Sequence, residues 1–377
     1  MSALVSMRGP WVAALTLMVC VGATPALAQG RRGKDRGKKP PAADAAEKVT
    51  IVLTSGRQNE GCEIKDLKFA AIKYRPSRGP EESVKGEDVA DILFDDPNPH
   101  YASGLSQLNA GLYDRAVKSF TAARNAAKDD SLLKVFAAYY LGDALRHAAV
   151  GDPEKSTELY KAACEEFGRV PADHWLAPRA AYGLGLALAG SGKQSEALAS
   201  FKKLDSGFGD RWRYQGKLGE GTAYLALKKA GDARQAFEIA NSGASSRYPE
   251  LAREAQVGIG QAYVLDKRYD DAVKFFDRIL EQRGVDAESG GGAWAGKGDC
   301  RYAQAQEKGN SKELLQEALL AYLTSTTRYA GSSSYARALY MAAEIYKKLG
   351  LPDQAEHQAK ELRSRFPDSQ WTKKLSK

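Results

Sequence analysis

The sequence predicts a mainly α-helical, superhelical solenoid of about seven helix pairs, preceded by a small strand-rich module that resembles a barrel. Three observations lead to this prediction. Alanine is abundant and aromatic residues make up only 9% of the chain, a composition that favours closely packed helices. Prolines are sparse after His100 and lie where turns between helices are expected. A pattern of small residues recurs from Pro97 onward.

The first 28 residues have the three parts of a secretory signal peptide. Arg8 supplies a positive charge, Trp11–Val21 is apolar, and Ala26-Leu27-Ala28 is a cleavage site of small residues. The apolar stretch is too short to cross a bilayer core of about 30 Å as a helix. We therefore expect an exported protein, periplasmic or extracellular, that is cleaved after Ala28.

Residues 29–47 form a basic segment. The chain carries 55 Lys+Arg against 47 Asp+Glu, a net charge of +8, and much of this excess lies in Arg31–Lys39. The segment has no apolar periodicity, so we expect a disordered linker. Two interpretations stay open, a solvated tether and a peripheral contact with membrane or cell-wall polymer through Arg31–Lys39. The remaining chain is nearly balanced in charge and does not indicate a nucleic-acid partner.

Residues 48–96 show the alternation of a small β-rich module. Val49, Ile51 and Leu53 alternate with Thr50, Val52 and Thr54, the period of a strand. Turn residues at 55–57 and 76–80 separate four or five short strands. This order resembles Sm-like and SH3-like small barrels. Sm-like proteins commonly bind RNA, but no aromatic pair interleaves with basic residues for base stacking, so a docking or capping role is favoured.

Residues 97–377 repeat one motif: a small residue, an alanine twelve positions later, and an aromatic or apolar residue four further on. Gly260, Ala272 and Phe276 are the clearest case. Small residues at both positions let two helices cross closely, and the aromatic residue lies one turn along the same face. Two further units keep this spacing, and four others depart from it. The regular units are Gly104, Ala116, Phe120 and Gly185, Ala197, Phe201; the others are Gly142, Ser156, Tyr160, Ala163, with a two-residue insertion; Gly221, Ala233 or Ala236, Phe237; Gly298, Ala318, Tyr322, with about eight extra residues; and Ala343, Ala355, Leu362, which ends the series.

These units resemble the tetratricopeptide repeat, although their spacing is longer than its usual 34 residues. The C-terminal stretch Arg365–Ser369 is also similar to periplasmic repeat proteins, such as the coordinator associated with the Tol–Pal system and lipoproteins that assist outer-membrane assembly. The resemblance implies a concave groove lined by the first helix of each pair. It also implies that residues three before and one after the crossing residue point into that groove.

The candidate partner-binding residues follow from this resemblance. They are Tyr139, Asp143, Tyr182, Gln261, Asp299, Tyr340 and Glu344. Tyrosines offer amphipathic contact area suited to peptide recognition. The alternative is that some of these rings only cover neighbouring helices. The Lys and Asn that the carboxylate-clamp type of repeat carries at these positions do not occur here.

No pattern indicates catalysis or a cofactor. Pairs such as Gly183-x-Gly185 lack the preceding strand and third glycine of a nucleotide loop, which favours helix-crossing glycines. Cys62, Cys164 and Cys300 are far apart in sequence, and neither they nor the histidines have metal-ligand spacing. We therefore expect no metal, no cofactor and no enzymatic activity.

The leading hypothesis is a non-catalytic, exported scaffold that binds protein or peptide partners through the groove, in cell-envelope organisation or assembly. A peptidoglycan- or carbohydrate-binding envelope module is the alternative, since exposed tyrosines would also suit a sugar ligand. An enzyme or a dedicated enzyme subunit is the weakest of the three hypotheses.

Overall fold

The computed structural model describes residues 47–375 except residues 130, 153 and 368. The predicted signal peptide and the predicted linker, apart from Glu47, lie outside these residues. The described chain begins with five strands that form one antiparallel sheet in the order β4-β3-β2-β1-β5. The strands are β1 (Lys48–Leu53), β2 (Gln58–Leu67), β3 (Ile72–Arg75), β4 (Glu82–Val84) and β5 (Val89–Phe94).

The sheet is open. Within the described residues β4 and β5 are its two edges, and no pairing joins them. Its buried face is covered by helical residues such as Phe136 and by Trp175, which share one hydrophobic core with Ile51 and Ile72. Because these residues cover the apolar face of the sheet, the sheet does not have to close into a barrel to bury that face. The Sm-like or SH3-like barrel expected from the sequence is therefore not confirmed.

Fourteen helices in the described residues form seven consecutive pairs, as predicted, and a short fifteenth helix follows. We call the first helix of each pair the A helix and the second the B helix. The pairs are α1 (Pro99–Asn109) and α2 (Tyr113–Ala126); α3 (Leu132–Gly151) and α4 (Ser156–Phe167); α5 (Ala177–Gly190) and α6 (Gln194–Lys202); α7 (Gly209–Ala226) and α8 (Ala230–Ala244); α9 (Pro249–Leu265) and α10 (Tyr269–Leu280); α11 (Ala287–Glu307) and α12 (Lys312–Arg328); α13 (Tyr335–Lys348) and α14 (Pro352–Arg365). The last helix is α15 (Gln370–Leu375).

The helix starts follow from local sequence. Three helices, α1, α9 and α14, begin with a proline: Pro99, Pro249 and Pro352. Proline lacks a backbone N–H, which costs nothing there because the first N–H groups of a helix have no partner within the helix. The side chains of Ser131 and Asp286 accept hydrogen bonds from the first turns of α3 and α11.

Aromatic rings of the B helices lie between two glycines of successive A helices. A Cβ added to Gly221 would come within 2.6 Å of the Phe237 ring, and one added to Gly258 within 2.5 Å of the same ring. Phe201 lies likewise between Gly185 and Gly219, and Phe276 between Gly260 and Gly296. The second glycine of each Gly-x-Gly pair therefore contacts the ring of its own pair, and the first contacts the ring of the preceding pair. The helix-crossing interpretation is confirmed.

In the second helix pair, the aromatic residue predicted to lie at the helix crossing is wrong. Phe167, and not Tyr160, lies against Gly142, while Tyr160 lies against Gly190. Phe167 follows the fully buried Ala163 by four residues, so this unit keeps the Ala-to-ring spacing. In the fourth pair the same spacing selects Ala233, which is fully buried, as the partner of Phe237.

The solenoid is so strongly curved that its last helix, α15, contacts the end of α3 in the second helix pair. The Lys373 ammonium group on α15 donates a hydrogen bond to the Gly151 carbonyl at the end of α3, at 2.7 Å. No helix within the described residues combines the length and apolar character needed to cross a bilayer.

Candidate binding groove

The A helices line the inner face of the solenoid. Successive A helices contact one another from α1 to α11, in addition to the B helices beside them. Helices on the inside of a curved array are closer together than those outside, so this contact pattern identifies the concave side. The groove that the sequence predicted is therefore formed by α1, α3, α5, α7, α9, α11 and α13.

The seven predicted groove residues are all partly buried, and several already have partners within the chain. Asp143 accepts a hydrogen bond from Arg146 at 2.7 Å. Asp299 accepts from the Tyr322 hydroxyl and from Arg337. The Asp143 bond lies within α3, whereas Asp299 joins α11 to α12 and α13, and these bonds limit the availability of both carboxylates to a partner. Whether any of the seven contacts a partner stays a prediction.

The β-sheet covers the first A helices, which the sequence did not predict. The Phe94 ring on β5 lies edge-on to Tyr101 of α1 and to Phe136 of α3, each at 5.3 Å between ring centroids. Phe69, after β2, contacts Phe208 at the start of α7 at 5.2 Å. The sheet therefore reaches from the first to the fourth A helix.

Polar contacts fix the sheet to α5 in the same region. The Trp175 indole N–H donates to the Gly86 carbonyl at 3.3 Å, and Arg179 donates to the Ala90 carbonyl at 3.1 Å. The Arg179 guanidinium lies over the rings of Trp175 and Trp212, at 4.0 and 5.5 Å. The partly buried Arg179 cation, held by two rings and a carbonyl, fixes α5 and α7 to the sheet.

The C-terminal helix covers the other end of the inner face. The Trp371 ring on α15 lies 5.3 Å from the ring of Tyr340 on α13. Tyr340 and Tyr182 occupy the same position in their repeats, but only Tyr340 has a helix of this kind packed against it. The sheet contacts α5 and α7 at their first turns, through Arg179 and Phe208. Beyond these contacts lies the inner face of α5, α7, α9 and α11, which we call the free inner face.

A polar row crosses the free inner face. Tyr182 on α5 is hydrogen-bonded by the Gln215 side chain on α7, and Glu254 follows on α9. Burial raises the pKa of Tyr182, and the Glu254 carboxylate adds to that increase. Burial also raises the pKa of Glu254 to about 7, with further contributions from Glu288, Asp286 and Glu250. Sequence analysis missed Gln215 and Glu254, although both lie six residues before a crossing glycine.

The three cysteines of the described residues are unpaired. Cys62 and Cys300 are buried and Cys164 is partly buried. Burial raises the pKa of the Cys300 thiol to about 12. No group of three or more His, Cys, Asp and Glu side chains in the described part of the chain could hold a metal ion.

Family comparisons agree with the helix-pair geometry. A tetratricopeptide-repeat model matches residues 101–173 and 218–287, and a second one matches residues 337–369. The chain carries tetratricopeptide repeats. The pair α5–α6 lies between the matched segments, and its Phe201 ring is held between two glycines as in the matched repeats.

Several solved tetratricopeptide-repeat and related structures are similar to this chain. One is a tetratricopeptide repeat protein from Parabacteroides merdae, at 14% identity, with 73% of this chain and 96% of that chain covered and a TM-score of 0.48. Another is the apo quorum sensor NprR from B. thuringiensis (16%; 70% and 74%; 0.40). A third is NprR in complex with its cognate peptide NprX (15%; 74% and 83%; 0.44). No curated protein sequence matches the chain significantly.

Proposed function

We propose that this tetratricopeptide-repeat protein is an exported, non-catalytic scaffold that binds peptide segments of protein partners on its free inner face. The row Tyr182–Gln215–Glu254 supports this proposal. It offers an aromatic surface, an amide and a carboxylate across three consecutive A helices, the groups that recognise an extended peptide. The uncovered inner face spans four repeats, and such concave surfaces are what solenoid proteins use for binding.

The proposed export rests on the signal-peptide features of residues 1–28, and a role in envelope organisation or assembly rests on that export. Fractionation of the native host, with N-terminal sequencing of the protein, tests this part. We expect an envelope or extracellular protein whose first residue is Gln29. A cytosolic protein that retains Met1 would contradict it and would leave the groove proposal in place.

Site-specific photo-crosslinking tests the groove. A photoreactive phenylalanine at Gln215 should give discrete adducts with partner proteins in the host. The same residue at Leu320, which is 65% exposed on α12, serves as the outer-surface control. Equal adducts at both positions, or none at position 215, would argue against binding on the free inner face.

Once a partner protein has been identified, two matched substitutions show whether it contacts the free inner face. Tyr182→Phe removes a hydroxyl from the free inner face and should weaken binding by roughly two- to tenfold, the worth of one hydrogen bond. Tyr340→Phe makes the same change at the same repeat position, against Trp371. Calorimetric titration should show no loss for Tyr340→Phe. An equal loss for both variants would place the contact elsewhere.

A further inference from the structure

Glu254 differs from the acidic residues around it because it lacks a partner. Glu250 pairs with Arg211 at 3.1 Å, and Asp286 pairs with Arg253 at 2.7 Å. Glu288 accepts a hydrogen bond from the backbone of Ser333. Within the described residues the Glu254 carboxylate has neither a hydrogen bond nor an ion pair.

The next A helix presents no side chain at the position that corresponds to Glu254, which is itself only partly buried. The α11 residue that corresponds to Glu254 in the repeat is Gly292, which has no side chain. A Cβ there would lie 3.0 Å from Val257, one turn after Glu254 on α9. Helix α11 therefore packs closely against α9 at Val257 and offers the Glu254 carboxylate no side chain from the corresponding position.

An unpaired carboxylate in this position destabilises the fold. Burial and three like charges favour its neutral form, which is why its pKa rises to about 7. A cationic side chain would relieve both effects at once, since it would supply a counter-charge and hydrogen-bond donors.

We propose that the basic segment of this same chain, residues 30–46, docks on the free inner face with a Lys or Arg side chain on Glu254. The segment carries six basic and two acidic side chains, and hence a net charge of +4. When docked it occupies the surface proposed for partner peptides and competes with them. The inference concerns the same surface as the proposed function, but it is tested without any partner.

The described chain begins at a point from which this segment can reach Glu254. The Glu47 carboxylate accepts hydrogen bonds from the backbone N–H groups of Leu132 and Leu133, at the start of α3. Helix α9 is the third A helix beyond α3, and neighbouring helices lie about 8–10 Å apart, which gives about 30 Å. At about 3.4 Å per residue, Lys39 can extend about 27 Å from Glu47 and Arg31 about 54 Å. Glu254 lies in the second turn of α9, at the same edge of the array as the start of α3.

Zero-length carbodiimide crosslinking of the dilute full-length chain tests the docked position. We expect intramolecular amide bonds between Lys34, Lys38 or Lys39 and Glu254, read by mass spectrometry. The competing carboxylate is Asp95, whose backbone N–H bonds to the Lys48 carbonyl and which therefore lies close to the segment in any arrangement. Links confined to Asp95, or found only between two chains, would overturn the proposal.

A second measurement uses a synthetic peptide of residues 30–46. It is titrated into a full-length variant in which the six basic residues of the segment are replaced by Gln. We expect saturable binding that weakens with salt and that falls about tenfold in the additional variant Glu254→Gln. The matched control is Asp232→Asn, which removes the same charge from an exposed position on α8. Equal affinity for the Glu254→Gln and Asp232→Asn variants would overturn the proposal.

Glu254→Gln should fold, because it removes a charge that the native structure disfavours. Its melting temperature at pH 8 should be at or above that of the unsubstituted protein, and this measurement shows that lost peptide binding does not come from unfolding. If the peptide fails to bind while Gln215 still crosslinks to partners, this inference fails and the proposed function stands.

Discussion

His174 lies where the sheet meets the start of α5, and its surroundings keep the imidazole neutral. The backbone N–H of Leu176 donates to Nδ1 at 3.1 Å, while Nε2 is buried with no partner in the described residues. Burial lowers the pKa of His174 to about 4, although Asp173 acts in the opposite direction. Protonation would therefore place a charge in the core that joins the sheet to the helices.

This arrangement predicts acid sensitivity. The unfolded chain binds a proton at His174 near pH 6.5 and the folded chain only near pH 4, so the contribution to stability is complete above pH 6.5 and is lost as the pH falls toward 4. The loss amounts to up to about 3 kcal/mol. We expect the free energy of unfolding, measured with urea, to fall less between pH 7.5 and pH 4.5 in His174→Asn than in the unsubstituted protein. The asparagine keeps an acceptor for the backbone N–H of Leu176. The exposed His100→Asn is the control and should behave as the unsubstituted protein. Equal losses in all three proteins would contradict this prediction.

The helix pairs depend on spacings that are short in sequence, which is why they could be predicted. A small residue, an alanine and a ring four residues later define one crossing within a single pair. The second unit was misassigned because Tyr160 and Phe167 are both aromatic residues of α4, and only packing shows which of them meets Gly142. The covers on the groove could not be predicted, because they depend on which surface the sheet and α15 pack against.

Glycine-to-alanine substitutions at a helix crossing and at an exposed helix position should have opposite effects on stability. At the crossing the added methyl group has no space, whereas at the exposed position only the higher helix propensity of alanine acts. Gly260→Ala places a Cβ 2.3 Å from the ring of Phe276, which is fully buried and cannot move aside freely. We expect a loss of about 1–3 kcal/mol from this overpacking. Gly231→Ala, on α8, meets nothing within 4 Å and should be neutral or stabilise by up to about 1 kcal/mol. Chemical denaturation measures both, and a Gly260→Ala variant as stable as Gly231→Ala would show that the crossing is looser than described.

The whole molecule is an array with a different cover at each end. Repeat arrays expose apolar surface at their termini and need capping elements. The sheet has this role at the first repeats, where it shares one core with α1 to α5. Helix α15 has it at the last repeat, where Trp371 packs with Tyr335 and Leu362 of the seventh pair. The covers also confine the free inner face to α5, α7, α9 and α11, so the same contacts that stabilise the array define where a peptide can bind.

Separate cores along the array predict local loss of structure. Trp175 is 1% exposed in the core that joins the sheet to the first repeats, and Leu315 is 2% exposed in the core of α11 to α13. Truncation of either residue should cost roughly 2–5 kcal/mol. Because each repeat contacts mainly its neighbours, the effect should stay near the substitution. Hydrogen exchange should therefore accelerate in the sheet and in α3 to α5 for Trp175→Ala, and in α11 to α13 for Leu315→Ala. The same pattern of exchange in both variants would mean that the array unfolds as one cooperative unit.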